Sequence, residues 1–348
     1  MSAKTFVKST IKKIPGAKKV YSQLWFQKHL LKCKTTFNHY ITDESRYYLI
    51  FSHGIGDVVW ACSFIQPFIK SNHFENLTLV CSKRDRNLIH SYVPDAQFVC
   101  TSIPELQEIG LYGTIHGKSM KNVRVIIYPE LKKDMTYDLE LYANTGMEMD
   151  ICYKYGCFDL SDWDKFCPPN LTEYKQQAEQ IVLEHKMPRG KSVVLIPYVN
   201  SRLHLPIEFW ERLSKELISH GYKVYTNVGR DTDKPISGTT ALFTPLEVLP
   251  LVVKMTGCVI SGRCGLGDWV FINSCNLIVL HAFTDKTDRM NKIQSSFARK
   301  ESFHVKKYRC GIKGEVREFR INYATCNADI YTNIANNTDE IISKVEEE

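Results

Sequence analysis

Two stretches of this sequence share one pattern, and together they constrain the fold more than any other feature. Ser52-His-Gly-Ile-Gly-Asp57 follows the β-like run at residues 46–51 and leads into an apolar helical segment at 58–70. Ser261-Gly-Arg-Cys-Gly-Leu-Gly-Asp268 follows a second such run at 258–261 and leads into a helix at 269–274. A short apolar strand, a glycine-rich turn and a helix make the opening of a βα unit. Further strands read at 77–81, 97–100 and 123–128 around the first junction, and at 192–197, 223–228, 241–243 and 276–281 around the second, with helical stretches between them. Alternation of this kind implies parallel sheets. The predicted fold class is therefore α/β, with two Rossmann-like doubly wound domains facing across a cleft. The predicted boundaries are a basic arm at 1–42, a first domain at 43–170, a second at 171–330 and a C-terminal helix at 331–348. The stretch 137–169 is rich in aromatics, acids and cysteine and reads as neither strand nor helix.

The chain has 348 residues, enough for two cores of ordinary size. With 44% hydrophobic and 24% charged residues it is globular in composition, which argues against disorder. The net charge of +7 suits an anionic partner. Nine lysines and no acid lie in residues 1–40, and the remainder is nearly balanced. A uniformly basic body for nucleic acid is therefore not expected. The twelve cysteines contain no CxxC pair and sit largely in apolar runs, as buried thiols do in a reducing compartment. No signal peptide and no apolar run of about 18 residues is read. The expected location is cytoplasmic, with attachment to the inner face of a membrane through residues 1–40 as an option. Pro15-Gly16 divides the apolar and basic residues of 5–32 into two short amphipathic pieces.

The junctions carry the candidate chemistry. At the first, Gly54 and Gly56 let the backbone approach a ligand at a helix N-terminus. Asp57 is either a helix cap or a carboxylate acting as general base. At the second, Gly262, Gly265, Leu266, Gly267 and Asp268 form a candidate pyrophosphate cradle, with Arg263 beside it. A plain tight turn is the alternative. In the loop 200–210, Arg202 and His204 are candidates to neutralise a leaving diphosphate. Asp231 and Asp233 spell a DxD, which fits a ribose contact or a turn cap better than a metal site. No GxGxxG, P-loop lysine, HExxH or GxSxG is present.

With these residues the sequence resembles glycosyltransferase family nine, the ADP-heptose:lipopolysaccharide heptosyltransferases of GT-B fold. That family opens on a strand, a Gly-Asp-Val turn and a helix, matched by Gly56-Asp57-Val58. The resemblance implies that Asp57 is the catalytic base. It aligns the basic loop before a Trp-Pro helix start with 202–210, where Arg202 or His204 stands in for the family's phosphate-binding lysine. The family's donor loop, Asp-Ser/Thr-Gly-x-x-His, is matched by Arg263-Cys-Gly-Leu-Gly-Asp268, with Arg263 replacing the acid and Asp268 the histidine. The similarity runs over about residues 46–283.

The resemblance implies metal-independent transfer of a sugar, such as heptose, from a nucleoside-diphosphate donor to a hydroxyl of a glycan, lipopolysaccharide or protein. No tightly bound cofactor is expected, and Leu246 is expected near the nucleobase. Two rivals share the fold: a nucleotide-sugar 2-epimerase using His53 and His281, and a non-catalytic glycan- or partner-binding homologue.

Overall fold

The computed structural model describes residues 17–74, 76–116, 120–126, 149–199, 203–230, 232–286, 291 and 302–343. The chain divides into two compact units, each assembled from separate stretches. One takes Met1–His53, Phe74–Arg86 and Ala96–Ile127. The other takes Gly54–His73, Asn87–Asp95 and Tyr128–Glu348.

The first unit holds a parallel sheet of β1 (Tyr47–Ile50), β2 (Leu77–Ser82), β3 (Gln97–Thr101) and β4 (Val123–Val125) in the order β3-β2-β1-β4. These are the apolar runs expected from sequence, with almost all of β1 and β2 buried. The helices Ala17–Tyr40 and Ile103–His116 complete the core, in which Cys33 and Phe37 join Ile50, Val80, Leu106, Ile109 and Tyr112. Polar contacts fix the pairing of these helices: Glu108 accepts from Thr36 Oγ1 at 2.7 Å and from Lys32 Nζ, and Tyr40 donates to Glu105 at 3.1 Å. Of the two short pieces expected, the one after Pro15-Gly16 is longer than the sequence suggests, a 24-residue helix, and the one before it lies outside the described residues.

The second unit is built on β5 (Ser192–Ile196), β6 (Lys223–Asn227), β7 (Thr240–Leu242), β8 (Gly257–Gly262), β9 (Leu277–Phe283) and β10 (Val316–Asn322). All pair in parallel, in the order β10-β9-β8-β5-β6-β7. Strand order reverses between β5 and β8, the switch point beyond whose carboxyl ends ligands bind in such sheets. The helix Ile207–Ser219 buries Phe209, Trp210, Leu213 and Leu217, one apolar stripe at helical spacing. Pro206 is its N-cap, and the chain leaves it through Gly221 at φ +83°, a conformation suited to glycine. The helix Asp329–Ser343 packs Tyr331, Ile334 and Ile341 into the same core; residues 344–348 of the expected C-terminal helix lie outside the described residues.

Two features depart from the sequence reading. The helix expected over 58–70 is two helices, Ile55–Cys62 and Ile65–Asn72. Pro67 explains the break, because in a continuous helix its ring would collide with the carbonyl of Ser63. The helix Phe303–Cys310 and edge strand β10 were not anticipated. β10 carries Arg317, Glu318 and Arg320 among its apolar residues and has no apolar run to announce it. Glu318 is nevertheless integral: it accepts from His281 Nε2 at 2.9 Å, Ser302 Oγ at 2.9 Å and the His304 backbone N–H at 3.0 Å. Burial alone would raise its pKa, but these donors outweigh burial and hold it at about 2, below the ordinary 4.5. A depressed folded-state pKa gives stability that is complete above pH 4.5 and is lost as the pH falls toward 2. The shift corresponds to on the order of 3 kcal/mol. Glu318→Gln is expected to flatten that acid limb, measured as the change in urea midpoint across the same window. An unaltered limb would show that other carboxylates control it.

Candidate active site

The helices Ile55–Cys62 and Gly265–Ile272 lie against one another within the second unit. Both begin on glycines that the sequence reading assigned to turns; Gly56, Gly265 and Gly267 occupy the first helical turns themselves. The contact explains the residue choice. A Cβ on Gly265 would stand 2.4 Å from the Gly56 nitrogen, and a Cβ on Gly56 would stand 3.0 Å from the Gly265 Cα. Only two residues without side chains allow this approach. Two helix starts, each with its unsatisfied N–H groups and positive dipole end, are thereby brought together.

Asp57 is in the first turn of one of these helices. It is not the N-cap, which is Gly54 in extended conformation. Its Oδ1 accepts a hydrogen bond of 3.1 Å from the Tyr153 hydroxyl. Tyr153 is fully buried and belongs to a π-helical stretch, Cys152–Cys157. Such stretches are uncommon and concentrate at functional sites. Tyr153 lies in the segment that could not be read from sequence, and no motif marks it. It leaves Asp57 half-buried with one carboxylate oxygen held.

Arg263 and Asp268 occupy the second junction, but they face each other. Arg263 Nη1 donates to Asp268 Oδ2 at 2.7 Å, and Asp268 Oδ1 accepts from the Trp60 indole at 3.1 Å. Arg263 is 7% exposed and Asp268 2%. Trp60 comes from the helix that carries Asp57, so Asp268 ties the two helices together. The Arg263 guanidinium also lies 4.9 Å from the Phe303 ring centre. Lys306 was not anticipated; its side chain is fully buried, with Nζ 5.0 Å from the same ring centre and 5.4 Å from that of Trp60. Arg263 and Lys306 therefore flank the Phe303 ring, and Lys306 and Asp268 flank Trp60.

The remaining candidates fall elsewhere. Arg202 and Asp231 lie outside the described residues. His204 is exposed. Asp233 closes its own turn, accepting from the Gly229 and Arg230 backbone N–H groups at 3.1 Å each. The Leu246 carbonyl accepts from the Trp269 indole at 2.6 Å. His281 is fully buried against Glu318. Among the described residues, no three His, Cys, Asp or Glu side chains gather to hold a metal ion, and all twelve cysteines are free thiols.

The Tyr153 contact makes a prediction. Tyr153→Phe removes one donor and keeps the ring in place. A hydrogen bond to a charged carboxylate contributes about 1.5–3 kcal/mol. If Asp57 is the reactive carboxylate, kcat should fall several-fold with donor KM unchanged. A rise in KM at constant kcat would instead mark Tyr153 as part of the donor's binding surface.

No protein-family model and no curated protein matches this sequence. Comparison of structures does find matches. The chain is similar to E. coli ADP-heptose lipopolysaccharide heptosyltransferase II, with a TM-score of 0.53 and 11% identity, covering 86% of this chain and 99% of that one. It is also similar to the glycosyl transferase family 9 protein of Veillonella parvula DSM 2008, with a TM-score of 0.51 and 10% identity, covering 86% and 97%. At such identities the likeness speaks to fold: the chain has the α/β fold of the GT-B class, as the sequence predicted, with two parallel sheets.

Proposed function

We propose that this protein is a glycosyltransferase that moves a sugar from a nucleoside diphosphate to an acceptor hydroxyl, with Asp57 as general base. The observation that carries the reading is the meeting of two glycine-started helices at Gly56 and Gly265, with Asp57 in the first turn of one of them. Helix starts suit an anionic leaving group, and a half-buried carboxylate beside them suits removal of the acceptor's proton. The fold shared with a heptosyltransferase supports the same reaction class and makes ADP-heptose the first donor to try.

In this mechanism the N–H groups at Gly265–Gly267 bind the diphosphate and stabilise the charge that develops as the glycosidic bond breaks. Asp57 takes the proton from the attacking hydroxyl of a glycan, lipopolysaccharide or protein, while Tyr153 holds the carboxylate in orientation. Arg263 acts at one remove. Its pairing with Asp268 secures the start of the helix and leaves the backbone amides as the phosphate contacts. Arg202 is the side chain proposed to add positive charge from the loop after β5. The reaction is placed in the cytoplasm, where nucleotide sugars are made.

The deciding experiment is release of free nucleotide from ADP-, GDP-, UDP- and CMP-sugars, with and without candidate acceptors. Acceptor-dependent release from one donor supports transfer. Release without acceptor, with inversion at the sugar's second carbon, supports the epimerase. Binding of a donor without turnover in any combination supports a non-catalytic homologue. The burial of His281 against Glu318 counts against one of the two histidines on which the epimerase reading relies.

A further inference from the structure

The helix Ala17–Tyr40 is apolar on two opposite sides, and among the described residues only one of them is covered by the core. Leu30, Cys33, Phe37 and Tyr40 face the core of the first unit. On the other side Leu24 and Leu31 are each 66% exposed and Trp25 58%. Leu24, Lys28 and Leu31 follow at helical spacing, so the two leucines share one stripe with a lysine between them, and Trp25 lies at its edge. Trp25 is not loose: its ring stacks on His29 with centroids 5.3 Å apart. Exposed large side chains scattered singly need no explanation, but two leucines on one stripe with a tryptophan flanking them do.

The charge of the segment says what covers this face. Residues 1–40 contain nine lysines and no acid. Of these, Lys28 and Lys34 are exposed on the described helix, Lys32 keeps 69% of its side chain exposed although it bonds Glu108, and Lys4, Lys8, Lys12 and Lys13 precede the helix in sequence. Apolar side chains interleaved with lysines, with tryptophan at the margin and no acid, match a surface whose outer layer is anionic and whose interior is hydrocarbon. A second copy of this chain would bring the same lysines against themselves, which disfavours self-association through the stripe. No helix among the described residues is long and apolar enough to cross a membrane.

We propose that the outer face of the helix Ala17–Tyr40 docks on an anionic phospholipid bilayer, with Leu24 and Leu31 entering the acyl boundary, Trp25 at the headgroup level and the lysines on the phosphates. The attachment is peripheral and reversible. Each lysine near an anionic surface contributes roughly fivefold in partitioning, screened by salt, and the two leucines together on the order of a hundredfold. The inference stands on the first unit alone and does not depend on the proposed chemistry.

The test is co-sedimentation of the full chain with vesicles of equal parts phosphatidylcholine and phosphatidylglycerol, and with vesicles of phosphatidylcholine alone. Binding is expected to the anionic vesicles at low salt, to weaken on raising the salt, and to be absent with neutral lipid. Leu24→Ser/Leu31→Ser should lose nearly all of it while retaining the wild-type circular dichroism and thermal midpoint, because neither side chain touches the core. The idea is overturned if this double variant sediments like wild type, if neutral vesicles bind equally, or if lipid-free solutions contain a dimer that the double variant abolishes.

Discussion

Asp57→Asn is expected to slow sugar transfer by about 10²–10⁴-fold, the usual range for removal of a positioned general base. The substitution keeps the shape of the side chain, and the Tyr153 hydroxyl can still donate to the oxygen that remains. Gly54, not Asp57, is the N-cap of the helix, so capping is untouched. The Gly56–Gly265 contact involves no atom of the side chain, so the paired helix starts should also persist. The loss should therefore fall on kcat, with donor affinity by calorimetry within about twofold of wild type. The measurement is the initial rate of acceptor-dependent nucleotide release. A variant that transfers at the normal rate removes Asp57 from the chemistry. A variant that no longer binds donor shows that the carboxylate supports the helix start.

How far the sequence led can be judged at these two junctions. Strands legible as short apolar runs lie where expected: β5 and β6 match the runs at 192–197 and 223–228 to within a residue or two at their ends. Pattern suffices there because a parallel strand buried on both faces needs an apolar centre, Val193–Ile196 in β5 and Val224–Tyr225 in β6. The glycines at 54–56 and 262–267 were legible as places of close approach, but not the approach itself. That Gly56 and Gly265 meet each other is a tertiary fact, and a local turn accounts equally well for either glycine alone. Arg263 shows the same limit from the other side. An arginine in a glycine loop suggests a phosphate ligand, and nothing local reveals that Asp268, five residues on, claims it. Tyr153, Lys306 and β10 carried no signal, since a lone tyrosine, a lone lysine and a charged edge strand are ordinary anywhere. Their placement depends on which elements pack against them. The full length of the helix Ala17–Tyr40 was obscured for a different reason: with apolar residues on both sides it lacks the one-sided pattern by which a surface helix is recognised.

Asp268→Leu is expected to be the most destabilising single change at the junction. It leaves the Arg263 guanidinium buried without its carboxylate and the Trp60 indole N–H without an acceptor. Breaking a buried pair from one side typically costs about 3–5 kcal/mol, and an orphaned buried donor about 1–3 kcal/mol, the two overlapping in one measurement. The companion variant Arg263→Met/Asp268→Leu separates them. It removes the stranded charge and substitutes apolar volume, so most of the first term should be recovered, while the Trp60 donor remains unsatisfied. The expected order of urea midpoints is wild type, then the double variant, then Asp268→Leu. The transition should be followed by more than one probe, since a chain of two units need not unfold in one step. Because Asp268 joins the helix of Trp60 to the helix of Gly265, donor binding in the double variant also discriminates between roles. If the backbone amides of that helix hold the diphosphate, the double variant binds donor nearly as well as wild type once folded. If Arg263 itself contacts phosphate, affinity falls by about 1.5–3 kcal/mol even though the fold is restored. A double variant no more stable than Asp268→Leu would show that the ion pair is not what holds this junction together.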